Sequence, residues 1–236
     1  TTYGNGNNVE EYQLPLLMLS LAWLYDWCDG VSRGGTCDHA PARAACYGVT
    51  FAVATLIRMT NALSVAGGIA GVMAVLMARR QWANLMRNAL AFTVAYVATI
   101  APFVAYYAAL QQLDELWYGM IGFNLDYISI DVFDYSWRTL LLFHHTGLLA
   151  LATGLAVLLS GRRRLVGALL VVAAAAHLLW IYHSMGFDHY STLTLPLLCL
   201  ALVEWHARWQ TLRRRAVRVA VGAVLCVVVA VNVCRA

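Results

Sequence analysis

The chain has 236 residues, 61% of them apolar and only 12% charged, with a formal net charge of +4. The charges fall in short clusters between long uncharged runs, which excludes a water-soluble domain, because a core of this size cannot hide so much apolar surface. Every basic residue is an arginine, and most stand in loops a few residues long, so the positive balance reads as membrane topology and leaves no nucleic-acid footprint.

About 20 apolar residues cross a bilayer as a helix. The uncharged runs predict an all-α fold, a polytopic transmembrane helix bundle of about eight membrane segments: 12–27, 44–58, 62–78, 88–107, 138–159, 165–183, 191–207 and 217–234. The first two are short. Pro15 and the closing Tyr25-Asp26-Trp27 mark the first as tilted, interfacial, or packed against helices outside this chain.

Orientation follows from counting arginines in alternate loops, since positive residues stay on the cytoplasmic side. Arg33, Arg43, Arg79, Arg80, Arg87, Arg162, Arg163, Arg164, Arg208, Arg213, Arg214, Arg215 and Arg218 fall on one side, and Arg58, Arg138 and Arg235 on the other. Glu10, Glu11, Asp114, Glu115, Asp126, Asp131, Asp134 and Asp188 collect opposite the arginine-rich side. The outer segments are therefore 1–11, the turn 59–61, the long stretch 108–137 and the turn 184–190, and function is expected there. The inner loops carry no Gly-rich phosphate cradle.

Taken along the chain, the outer features begin with a turn-rich strip of Asn5, Asn7 and Asn8 among glycines. Glu10 and Glu11 follow it, either as caps on a helix N-terminus or as carboxylates that bind a hydroxyl, a metal or a basic partner. Cys28, Cys37, Asp38 and His39 have metal-ligand chemistry without metal-site spacing, and the preferred reading is a solvated loop; the six cysteines form no disulfide framework. Arg58-Met59-Thr60-Asn61 interrupts an apolar stretch from 44 to 78, where an arginine must snorkel, pair or meet an anion. Gly67, Gly68 and Gly71 contain a GxxxG spacing and read as helix packing.

Asp114 through Tyr127, with Trp117, Tyr118 and Asn124, suits an interfacial belt, an amphipathic interfacial helix or a carbohydrate-binding face. His144 and His145 read as polar groups at a helix end reaching water, His177 as packed between helices, and His206 as lying at the inner interface. In the last outer turn, Asp188-His189-Tyr190 is suited to pairing with phosphate, donating to a sugar or moving a proton.

In order, these motifs resemble the GT-C fold of polytopic membrane glycosyltransferases, specifically the protein-O-mannosyltransferase-like branch that uses polyprenyl-phosphate sugars. Asn7-Asn8-Val9-Glu10-Glu11-Tyr12 before Leu14-Pro15 is similar to that family's acidic helix opening. The turn from Arg58 to Asn61 resembles its arginine–asparagine turn, Asp114 through Tyr127 its aromatic outer stretch, and Phe187, His189, Tyr190 and Pro196 its last outer turn.

The resemblance implies a glycosyltransferase (hexosyltransferase) in the bacterial inner membrane, active face outward, that inverts a polyprenyl-phosphate sugar donor onto an unidentified acceptor. It implies Glu10 or Glu11 as an auxiliary carboxylate and Arg58 as partner of the donor phosphate. Asn61, Asn124, Tyr127, Asp188, His189 and Tyr190 would contact substrate. No resident cofactor is implied, and a divalent metal is left open. The family's principal carboxylate precedes the matching region, so residues 1–236 are expected to be a single transmembrane domain forming the C-terminal part of a longer enzyme; with no basic n-region at Thr1, no signal peptide is expected within them. The rival expectation is a transporter or flippase of a lipid-linked or small anionic solute, which predicts ionisable groups at mid-depth and broken helices in repeated halves.

Overall fold

Local punctuation sets the helix boundaries. The computed structural model describes residues 9–128, 144–183 and 192–209, and all regular structure there is helical. α1 spans Val9–Ser32, and α2 runs Pro41–Ile57 with its proline in the first turn, where no N–H partner is missed. A 3₁₀ turn, Met59–Ala62, leads into α3, Leu63–Ala78. Arg80 takes a left-handed φ of 55° to turn the chain into α4, Trp82–Ala109. Short helices α5 (Leu113–Trp117) and α6 (Phe123–Ile128) flank a π turn, Tyr118–Gly122. α7 (His145–Leu159) passes through Gly161, φ 75°, to α8 (Arg164–His183), and α9 covers Leu195–Trp209.

Among the described residues three helices are long and apolar enough to cross a membrane: Met59–Ala78, Trp82–Ala109 and Arg164–Ile181. Pro41–Ile57 and His145–Leu159 are shorter apolar helices. The predicted eighth span, 217–234, lies outside the described residues, as do residues 129–143 and 184–191.

α1 is neither short nor peripheral. Its 24 residues place Leu17, Leu21, Leu24, Cys28 and Val31 on one buried stripe at helical spacing, and it packs against α2, α3, α8 and α9. Pro15 lies near its start, removing only the bond to the Glu11 carbonyl. The principal pairings are α2 on α4, α7 on α8 and α3 on α8.

Specific contacts fix the helix directions. Ser20 meets Thr50 at 2.9 Å and Arg43 meets Asp26 at 2.8 Å, so α1 and α2 are antiparallel. A Cβ on Gly67 would lie 3.0 Å from the Val172 carbonyl oxygen, and one on Gly68 2.9 Å from Leu169, so α3 opposes α8. Gly147 faces Leu178 and Gly167 faces Leu158, so α7 also opposes α8. The GxxxG expectation is corrected in one respect. Gly67 and Gly68 make the close approaches, whereas Gly71 faces open space.

These directions place Arg33, Arg43, Arg79, Arg80, Arg87, Arg162, Arg163, Arg164 and Arg208 at one end, called the Arg163 end, and Arg58 at the other, the Asn61 end. Four acids at the Arg163 end are all paired. Asp26 pairs with Arg43 and Asp38 with Arg87 (2.7 Å), while Asp29 takes Arg33 (2.9 Å) and Arg163.

Glu204, 1% exposed, accepts from Arg163 Nη1 at 2.5 Å and from the Tyr25 hydroxyl at 2.5 Å. Arg163 Nη2 also donates to Tyr25 Oη at 3.1 Å, with the guanidinium carbon 5.5 Å from the tyrosine ring centroid. One arginine thus ties α1 and α9 to the turn before α8.

Candidate functional site

The Asn61 end holds a tier of buried polar groups, several of which have no hydrogen-bond partner among the described residues. It begins at the turn between α2 and α3. Arg58 leaves α2 in extended geometry, φ −164° and ψ 103°, and its carbonyl accepts from the Asn61 N–H at 3.0 Å. The resulting 3₁₀ turn rotates Asn61 inward, to 1% exposure, where neither amide atom has a hydrogen-bond partner among the described residues. One turn on, Ser64 is 2% exposed and its hydroxyl is unpaired. Arg58 itself is half-buried.

α1 supplies Gln13, 1% exposed with both amide atoms unpaired, and Glu11, whose Oε1 is buried without a partner. Because Ser20 stands level with Thr50 on an antiparallel neighbour, Gln13 seven residues earlier stands level with Ile57 and Arg58. By the same counting from Gly67 opposite Val172, buried His177 on α8 stands level with Ala62. His144 and Thr192 are also buried at this end, the Thr192 hydroxyl unpaired, and Thr146 and Thr194 share a 2.5 Å hydrogen bond.

A buried polar atom left unpaired costs about 1–3 kcal/mol. Amides, hydroxyls, imidazoles, a carboxylate and a neighbouring guanidinium supply both donors and acceptors, and they occupy the end of a bundle otherwise packed with Leu, Val and Ala.

The structure brings Glu11 and Asn61 to the same end, beside the Arg58 turn. Glu10 lies in the first turn of α1. Asn124 and Tyr127 lie on α6, which packs on the π turn before it, and that turn touches α2. The surrounding stretch is open: Leu113, Trp117, Tyr118, Phe123 and Leu125 are exposed, and the Tyr118 hydroxyl donates to Asp126 at 3.1 Å. That bond raises the Tyr118 pKa. Asp188, His189 and Tyr190 lie outside the described residues.

Two expectations are corrected. His144 does not reach water; it is fully buried at the start of α7. The Cys28–His39 region is not a solvated loop, since Cys28, Cys37 and His39 are all buried. His39 Nδ1 sits 2.9 Å from Asn88 Oδ1 and Nε2 3.4 Å from the Tyr47 hydroxyl. Asn88 Nδ2 is occupied with the His39 and Asn84 carbonyls at 2.9 and 2.8 Å, so Asn88 Oδ1 accepts from Nδ1–H and Tyr47 donates to Nε2. Burial lowers the His39 pKa, against the opposing effect of the Asn88 bond. With Asp38 paired to Arg87 and both ring nitrogens engaged, this region is a structural polar network. Among the described residues no three His, Cys, Asp or Glu side chains are grouped to hold a metal.

Gln13, Ser64 and Thr192 were not singled out by the sequence, although polar residues inside or edging apolar runs are the signal that marks them. The chain matches no protein-family model, no curated protein and no solved structure.

Proposed function

We propose that this chain is an integral membrane protein whose Asn61 end faces away from the cytoplasm and binds the phosphate-sugar head of a polyprenyl-phosphate sugar, as part of a GT-C-type glycosyltransferase. The observation that carries this reading is the unpaired tier of Gln13, Asn61 and Ser64 beside Arg58, at the end of a bundle with membrane-length apolar helices. A polyprenyl tail stays in lipid while its head needs polar partners at the interface, and this tier supplies buried polar groups at one end of the bundle.

In this reading Arg58 neutralises the donor phosphate, and Gln13 and Asn61 hydrogen-bond sugar hydroxyls. The acceptor hydroxyl attacks the anomeric carbon and the bond from that carbon to the phosphate oxygen breaks. Polyprenyl phosphate leaves with the electron pair, and a carboxylate takes the acceptor's proton. Glu10 and Glu11 serve as auxiliary carboxylates that orient the acceptor.

The test is transfer from a radiolabelled polyprenyl-phosphate sugar by the full-length protein. Arg58→Ala is expected to lower transfer by on the order of a hundredfold and Asn61→Ala by about tenfold, the losses typical of a charged and a neutral hydrogen bond. Unchanged transfer in both variants removes the site assignment, and no transfer by the unmodified protein removes the enzyme reading.

The rival, transport of a lipid-linked or small anionic solute, draws on His177, an ionisable group buried on a membrane-length helix. It predicts that proteoliposomes move the labelled compound across the bilayer with its sugar-phosphate bond intact.

A further inference from the structure

A cavity of about 360 Å³ lies between α2, α3 and α4, away from the polar tier. Its wall is almost wholly apolar: Ala66, Ala70, Met73 and Leu76 from α3 face Ala89 and Phe92 from α4. His39, Tyr47 and Asn88 also line it, but their polar groups are committed to one another. The cavity exists because α3 packs on α8 and α1 while α2 packs on α4, leaving α3 and α4 lightly joined although they are consecutive.

Three observations say what fills it. The first is depth: Ala66 to Leu76 is ten residues of helix, about 15 Å at 1.5 Å per residue, half of a hydrocarbon core of about 30 Å. The cavity is therefore one leaflet deep. The second is the outer wall. Only 6% of the apolar span in α4 is buried inside the protein, so the wall facing away from the bundle faces whatever solvates that helix.

The third is charge. Leu76 and Leu85 line the end of the cavity toward the α3–α4 turn, and Arg79 and Arg80 follow Leu76 by one helical turn. Nearby Arg43 and Arg87 are neutralised by Asp26 and Asp38, whereas Arg79 and Arg80 are exposed and carry no ion pair among the described residues. A leaflet-deep apolar slot with two uncompensated arginines at its mouth fits one amphiphile: a chain of about leaflet length under an anionic head.

We infer that the α2–α3–α4 cavity binds one anionic phospholipid of the leaflet at the Arg163 end, an acyl chain lying between α3 and α4 and its phosphate at Arg79 and Arg80. The inference rests on the membrane placement proposed above and on nothing about sugar transfer. The site is at the opposite end of the bundle from Asn61, so the lipid acts as a resident structural ligand, filling the seam between two helix pairs.

The experiment uses the full chain, extracted in mild detergent and exchanged into micelles containing phosphatidylglycerol or phosphatidylcholine. Lipid retained per protein after washing is read by phosphorus assay and native mass spectrometry. The expected result is about one phosphatidylglycerol per chain, preferred over phosphatidylcholine by on the order of tenfold, as two arginines at a membrane surface supply.

Arg79→Gln with Arg80→Gln should abolish the preference while leaving weak chain binding. Ala89→Phe, which fills the slot from its wall, should abolish retention of both lipids; Ala70→Leu, a smaller insertion, serves if circular dichroism shows that Ala89→Phe does not fold. Equal retention of the two lipids, retention of none, or unchanged retention in the folded variants overturns the inference. Membrane placement is read separately, by whether the chain stays in the membrane fraction after alkaline carbonate washing.

Discussion

Replacing Arg163 with leucine should destabilise the bundle more than any other single arginine substitution among the described residues. Asp29 keeps Arg33, so its charge is not stranded. Glu204 is 1% exposed and loses its cation, retaining among the described residues only the Tyr25 hydroxyl as donor.

Removing one partner of a buried pair costs about 3–5 kcal/mol, and because the Arg163 side chain is 20% exposed, the lower figure applies. For a chain of this size 1 kcal/mol shifts the midpoint by about 2–4 °C, so thermal unfolding followed by circular dichroism in micelles should show a loss of about 6–12 °C. Glu204→Leu placed on top of Arg163→Leu removes the stranded carboxylate and should recover most of the loss. Arg163→Lys should recover little, because a single ammonium cannot fork between Asp29, Glu204 and Tyr25. A loss under about 2 °C in Arg163→Leu, or a double variant as unstable as the two single losses added, refutes the reasoning.

The polar tier predicts the opposite sign. Gln13→Leu removes two unpaired buried amide atoms and should raise the midpoint by several degrees, at about 1–3 kcal/mol per desolvated group, while lowering donor binding in a filter-retention assay; a fall in midpoint would show that Gln13 is satisfied by the protein. His39 predicts a pH dependence. Its folded pKa lies below the unfolded value of about 6.5, so below that pH the unfolded chain takes up a proton that the folded chain resists, and stability falls with pH while staying flat above it. The unfolding midpoint measured between about pH 7.5 and 5.5 should drop more steeply in the unmodified protein than in His39→Gln, and equal slopes would remove His39 as the cause.

Much of the fold was legible because apolar runs and arginine clusters carry most of its information. Each of the seven predicted spans that falls on described residues overlaps a helix, with ends differing by up to six residues over the parts described, and three of those helices are long and apolar enough to cross a membrane; the alternate arginine loops fall at one end, and the Arg58–Asn61 interruption is a turn. Partner choice was harder to read. Nothing in the order of the spans says that α2 pairs with α4 in preference to α3, because that depends on Gly48 admitting the Phe92 backbone. Glu204 was passed over although it stands inside an apolar run, the same signal that drew attention to Arg58. It goes unread because its cation lies 41 residues away in sequence, in a loop that topology alone already accounts for. In the candidate site the sequence marked Asn61 and Glu11 by their place at a turn and a helix start, and missed Gln13 and Ser64, whose importance lies in what they fail to touch.

The α2–α4 pairing has a consequence for how the chain is built. α2 presents Ala44, Gly48, Ala52 and Thr55 as a buried face made largely of small side chains, and its partner for much of that face is synthesised only after α3 has been completed. Until α4 is made, α2 has a vacant seam where Phe92 and Tyr96 will dock. The α2–α4 pair therefore cannot assemble as a hairpin of consecutive helices, as α7 and α8 can. Three consecutive helices, α2, α3 and α4, must be synthesised before this close pairing forms, and a polypeptide released before α4 would leave that seam uncovered.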